Sequence, residues 1–166
     1  MQLQQQTVQL AAIPDGPAGT RATLRAMRQF VKAGKEDYRL RQLALSLVGP
    51  LPAKDWWSEI QTLHAFVRDR IRYVRDIKGI ETLATPDETL RIGQGDCDDK
   101  SVLLATLLET LGHPARFVAV ALQPGQYSHV LVETKLGKNW IPLETTENVP
   151  AGWYPAGVRA RMVEHI

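Results

Sequence analysis

The sequence predicts a single α+β domain, on three observations. Four segments repeat apolar residues at helical spacing, three short strand-like segments follow them, and the one cysteine stands at the mouth of the last helix. A length of 166 residues with 44% hydrophobic content suits one good core and no second one.

Residues 1–19 are Gln-rich and then Gly/Pro-rich, which predicts a flexible arm or an extended edge segment. Two helices are expected over about 20–33 and 36–48, ended by Gly34 and by Gly49-Pro50. The run Gly49-Pro50-Leu51-Pro52 reads as a stiff connector. A third helix, about 55–73, presents Trp56, Ile60, Leu63, Val67 and Ile71 on one side, the side expected to pack under the sheet. The fourth starts at Cys97 and carries Val102, Leu103, Leu104, Leu107, Leu108 and Leu111 before Gly112 stops it. Strands are expected over 115–122, 128–135 and 139–145, with Gly125 and Gly137 in the breaks.

Cys97 lies in Gly95-Asp96-Cys97-Asp98-Asp99, at or next to the N-cap of its helix. The unpaired amides and the positive end of the helix dipole favour a thiolate there and could hold an oxyanion. Asp96, Asp98 and Asp99 act the other way, since a carboxylate beside the sulfur raises its pKa. A protonated His129 at the sulfur would have to outweigh them. As a rule a lone cysteine is a small buried hydrophobe and a strand histidine a structural residue. The polar Gly-Asp turn sets Cys97 apart from that rule.

Pairing of the last two strands brings in the other two candidates. An even-numbered loop, either Leu136-Gly137 or the four residues from Lys135 to Lys138, sets His129 directly opposite Glu144. The four-residue loop is favoured because Leu-Gly makes a poor two-residue turn. Opposed Cβ atoms lie roughly 4.5–5.5 Å apart, which suits a carboxylate bonded to one ring nitrogen while the other faces a thiol. An odd loop would instead set His129 opposite Thr145.

These residues resemble a known family. Gly95-Asp96-Cys97 with its Leu-rich helix, Gly112-His113-Pro114-Ala115-Arg116, His129-Val130-Leu131-Val132-Glu133 and Trp140-Ile141-Pro142-Leu143-Glu144-Thr145-Thr146 look like the core of the transglutaminase-like superfamily, of bacterial or phage type. Upstream, Ile71-Arg72-Tyr73 and Thr85-Pro86-Asp87-Glu88-Thr89-Leu90 match the segments that lead into its nucleophile, so the resemblance covers about residues 56–146. It implies a papain-like α+β fold in which the cysteine starts a central helix packed on an antiparallel sheet. It further implies a core over 51–166, with 1–50 as an N-terminal arm and helical extension of what is overall one compact domain.

By position Cys97 matches the family's nucleophile, His129 its general base and acid, and Glu144 its third member. The family usually has Asp at that last place, and the extra methylene of Glu144 calls for a shifted backbone. His113 stands where the family prefers an apolar residue and is expected to cap the turn or face solvent. The reaction implied is acyl transfer on a peptide or protein amide through a thioester, hydrolytic rather than cross-linking. Gln94 and Tyr73 are candidates for the second oxyanion donor. The rival reading is a non-catalytic member that serves as an adaptor or as an assembly component of a bacterial or viral particle.

No cofactor is expected. Some bacterial relatives bind calcium through acids beside the nucleophile, which makes Asp96, Asp98 and Asp99 calcium candidates, although acids in a first helical turn are ordinary dipole partners. One cysteine and four scattered histidines supply no recognisable zinc set. A single cysteine also rules out an intrachain disulfide and agrees with a reducing, cytoplasmic location, or with a virion if the source is a phage. The start lacks a basic, apolar leader, and no stretch approaches the roughly 20 apolar residues of a membrane span.

Net charge is +2, yet residues 1–75 carry +6 and residues 76–166 carry −4. Arg21, Arg25, Arg28 and Lys32 form a basic stripe opposite Leu24, Met27 and Val31 on the first helix. The stripe reads as a solvated face or as a dock for an acidic protein partner. Without a nucleic-acid-binding motif, DNA and RNA are not expected partners.

Overall fold

The computed structural model describes residues 8–9, 15–76 and 82–166. Most of the expected arm, residues 1–7 and 10–14, therefore lies outside the described residues.

The helical part comes first. Helix α1 spans Pro17–Gly34, α2 Tyr38–Val48, α3 Trp56–Arg70, α4 Pro86–Ile92 and α5 Cys97–Thr110. Helix α1 starts earlier than its apolar spacing indicates, because Pro17 supplies the preset φ of a first helical position. The side chain of Asp37 caps α2 and that of Asp55 caps α3, accepting from the amides of Arg39 and Ser58.

Helix α3 stops three residues short of the expected end. Ile71 turns extended, and Arg72–Tyr73 (β2) then pairs in parallel with Gln94–Gly95 (β4). Only part of its predicted face is covered: Ile60, Leu63, Val67 and Ile71 are buried, whereas Trp56 is 56% exposed. That face meets α5. Val8–Gln9 (β1) pairs antiparallel with Thr82–Leu83 (β3), so an extended edge segment is present there.

The C-terminal half forms a four-stranded antiparallel sheet in the order β7-β6-β5-β8, from Asn139–Leu143, Gln126–Leu136, Ala115–Gln123 and Ala160–His165. Strand β8 has no counterpart among the predicted elements. It is an edge strand that pairs with β5 and packs against α1, and its sequence Ala-Arg-Met-Val-Glu-His gives only a weak alternation.

Helix α5 is the centre of the molecule. Every residue from Asp99 to Leu108 is buried, with α1, α2, α3 and α4 on one side and β5 and β6 on the other. Helix α1 approaches closely enough at its end that a Cβ on Gly34 would lie 2.8 Å from Pro86 and 2.9 Å from Thr106. One apolar cluster runs from Leu24, Met27 and Val31 through α5 to Phe117 and Val132 on the sheet.

Two expectations are corrected here. The β6–β7 hairpin closes through Gly137-Lys138, with Leu136 opposite Asn139 and Val132 opposite Leu143. Glycine at φ 61° in the first position suits a two-residue II′ turn and wins over the four-residue loop. The ladder is thus offset by two residues, and His129 is not directly opposite Glu144. His113 neither caps the turn nor faces solvent. It is buried, and its Nε2 lies 2.7 Å from the Glu59 carboxylate on α3.

Candidate active site

The entry to α5 is fixed by a capping box. The Asp96 side chain accepts from the amides of Asp98 and Asp99 at 2.9 and 3.0 Å, and Asp99 accepts in return from the Asp96 amide at 3.3 Å. Asp99 also takes the Ala84 amide at 2.8 Å, which ties the segment after β3 to the start of α5. Gly95 is required beside it, because an added Cβ would sit 2.6 Å from that of Asp99. Cys97 follows the cap as the first helical residue, where helix geometry leaves its amide without an intrahelical acceptor.

The sulfur is partly buried and lies 3.6 Å from Oδ1 of Asp98. Burial raises the thiol pKa most, followed by the Asp98 and Asp96 charges, with the Val130 backbone amide opposing them. Cys97 therefore rests as a thiol. Cys97 packs against the apolar cluster that includes Val130 on β6, the residue after His129.

His129 and Glu144 are brought together. Nε2 of His129 donates to Oε2 of Glu144 at 2.5 Å, while Oε1 accepts from the amide and hydroxyl of Thr146 at 2.7 and 2.8 Å. An offset of two keeps residues on the same face of a ladder, so the pair is diagonal instead of opposed, and the longer Glu side chain spans the gap. On its other side β6 shifts register against β5 immediately beyond the Val120–His129 pair, a bulge of the kind that re-aims a side chain. Burial pushes the Glu144 carboxyl up, but the bond and charge of His129 and the bonds from Thr146 bring it net below its ordinary value. It is a carboxylate, 1% exposed, and as an acceptor it holds the His129 proton on Nε2, while Nδ1 has no hydrogen-bond partner among the described residues.

Two buried side chains around Glu144 escaped sequence reasoning. His64 on α3 donates from Nε2 to the Glu144 carbonyl oxygen at 2.5 Å, and its burial lowers its pKa. Lys100 on α5 donates from Nζ to the carbonyls of Ile71 and Arg68 at 2.5 and 3.2 Å. Burial lowers its pKa to about 8, against the opposing charges of Glu144 and Asp69. Lys100 follows Cys97 by one turn, a spacing that could have drawn notice; His64 sits within an ordinary apolar helix face and gives no such signal.

The oxyanion candidates both lie on the β2–β4 ribbon that leads into Cys97. Tyr73 pairs with Gly95 and is 40% exposed, and the side-chain oxygen of Gln94 accepts from Arg72 at 2.7 Å, which leaves its amide NH2 as the donor.

The three acids do not form a cation cage. Asp96 and Asp99 direct oxygens at backbone amides, and among the described residues no group of three or more His, Cys, Asp or Glu side chains is arranged to hold a metal ion. Burial with Asp98 and Asp99 nearby pushes the Asp96 carboxyl up to about 8. No helix among the described residues is long and apolar enough to cross a membrane.

A cysteine at a helix N-terminus and a His–Glu pair on an adjoining antiparallel sheet define a papain-like α+β fold. The transglutaminase-like superfamily profile matches residues 41–145, and the chain belongs to that superfamily. No curated protein sequence matches significantly. Solved structures of similar fold include a proposed cysteine protease from Cytophaga hutchinsonii, at 21% identity and TM-score 0.53 over 76% of this chain and 46% of that one. A proposed protease from Parabacteroides distasonis aligns at 15% identity and TM-score 0.63, over 78% of this chain and 26% of its own. Calcium-bound LapG of Legionella pneumophila aligns at 18% identity and TM-score 0.52, over 76% and 75%. The chain thus spans less than half the length of the first two.

Proposed function

We propose that the protein is a cysteine-dependent acyl-transfer enzyme that hydrolyses a peptide or protein amide, with Cys97 as nucleophile, His129 as general base and acid, and Glu144 as the orienting carboxylate. The 2.5 Å bond between His129 and Glu144 is the observation that carries this reading, because it fixes the tautomer a base facing the thiol would need.

Since Cys97 rests as a thiol, its proton passes to Nδ1 of His129 as sulfur attacks the carbonyl carbon. The oxyanion is held by the Cys97 amide with Gln94 or Tyr73 as second donor. Collapse breaks the C–N bond, His129 returns the proton to the departing amine, and water then cleaves the thioester to release the acid. Hydrolysis is favoured over cross-linking by the likeness to structures described as proteases. Calcium is assigned no step: both carboxylate oxygens of Asp99 and Oδ1 of Asp96 accept backbone amides.

The test is the rate of Cys97 alkylation by iodoacetamide across pH. His129→Ala is expected to slow labelling at neutral pH by roughly ten-fold or more. An unchanged rate, no faster than that of a model thiol, ends the enzyme reading.

The raised thiol pKa favours one alternative, a non-catalytic adaptor or particle component. Its working surface would be α1, where Arg21, Arg25 and Lys32 are exposed and Arg28 pairs with Glu164 at 3.2 Å, offered to an acidic protein.

A further inference from the structure

A cavity of about 320 Å³ opens beside the candidate site. One wall is the end of α3 and the start of β2, from Arg68 to Tyr73, and the other is Thr145 to Asn148, directly after Glu144. Lys100 closes the floor. Both walls are anchored to the site: Tyr73 pairs with Gly95, two residues before Cys97, and Thr146 bonds the Glu144 carboxylate. The volume falls at the lower end of ligand pockets, enough for one or two residues of a peptide.

Its charges are unequally committed. The Arg68 guanidinium is taken by Asp69 at 2.7 and 2.9 Å and by the Val149 carbonyl at 2.9 Å, so those two opposite charges cancel locally. Among the described residues Lys100 meets only carbonyl oxygens within bonding distance, and an ammonium has three N–H donors for the two bonds it makes. Arg72 bonds the neutral side chain of Gln94, and among the described residues neither Arg70 nor Arg72 forms an ion pair. Against these three cations the lining offers, among the described residues, one further carboxylate, Glu147.

We infer that this cavity is a subsite for a carboxylate of the peptide substrate, bound by Arg70 and Arg72 at the rim above Lys100. The inference rests on the acyl-transfer reading and adds a substrate class to it. The carboxylate comes either from an acidic side chain or from a free C-terminus. Both have the planar oxygen pair that a guanidinium fork grips.

The test uses short peptidyl chloromethyl ketones, in which the Cys97 sulfur bonds to the methylene carbon and chloride leaves. Matched probes carry Glu, Gln or Lys next to the electrophile, and a further pair carries the chloromethyl ketone on a side chain so that the peptide can end in a free carboxylate or an amide. The Glu probe, or the free-carboxylate probe, is expected to label roughly ten-fold faster than its neutral match, with the advantage shrinking as salt rises. In Arg70→Gln, at an exposed position, that ratio falls toward one. Equal rates for charged and neutral probes overturn the inference, as does faster labelling by the Lys probe, which would make Glu147 the recognising group. A ratio that survives Arg70→Gln also overturns the assignment to this cavity. Iodoacetamide keeps the two readings separate: labelling that ignores His129→Ala while the Glu preference persists removes the enzyme mechanism and leaves the subsite standing.

Discussion

At the scale of single residues, the site turns on the length of Glu144. Because the hairpin register sets it diagonal to His129, an aspartate here would draw the carboxylate back by about 1.5 Å and lose the 2.5 Å bond. Glu144→Asp is therefore expected to slow His129-dependent labelling of Cys97 by about ten-fold or more, although Asp is the family's usual residue. Labelling at the native rate would show that the hairpin adjusts. Asp98 offers the opposite handle. Its carboxylate is second only to burial in holding the thiol protonated, so Asp98→Asn moves the alkylation midpoint to lower pH and speeds labelling at neutral pH several-fold. A midpoint that stays put would mean burial alone sets the thiol.

At the scale of elements, the sequence revealed most where the signal was local. The cap at Asp96, the start of α5 at Cys97 and its stop before Gly112 follow from residues within one turn of each boundary. Strands β5 to β7 were legible to within two residues for the same reason. What stayed hidden depends on distant partners. The ribbon of β2 and β4 joins residues about twenty apart, β8 needs the edge of β5, and the hairpin register depends on Gly137 taking the first turn position, which the flanking residues alone do not dictate. Lys100 belongs to this hidden class, since nothing nearby in sequence tells that it crosses to the end of α3.

Its titration gives a test of that crossing. In the folded chain Lys100 loses its proton at about 8, against an ordinary value of 10.5, so within that window the unfolded chain binds more protons and stability rises with pH. Lys100→Met should flatten this rise in urea unfolding followed from neutral to alkaline pH. A slope that persists would assign it to other groups.

At the scale of the whole molecule, α1 is part of the body that holds the site. Leu24, Met27 and Val31 are at most 2% exposed and share one cluster with α5 and the sheet. Each such side chain contributes about 1.5–3 kcal/mol, and a domain is stable by only about 5–15 kcal/mol in total. A chain that begins at residue 50 is expected to lose its cooperative thermal transition, as calorimetry would read. A sharp transition in the shortened chain would instead make residues 51–166 an independent core.

The burial of α5 on every side carries one more consequence. From Asp99 to Leu108 the helix is enclosed, so the amide protons of this stretch are expected to be among the slowest in the chain to exchange with solvent. The sulfur stands two residues before this enclosed stretch, so an opening that parts α5 from its neighbours is expected to displace it as well.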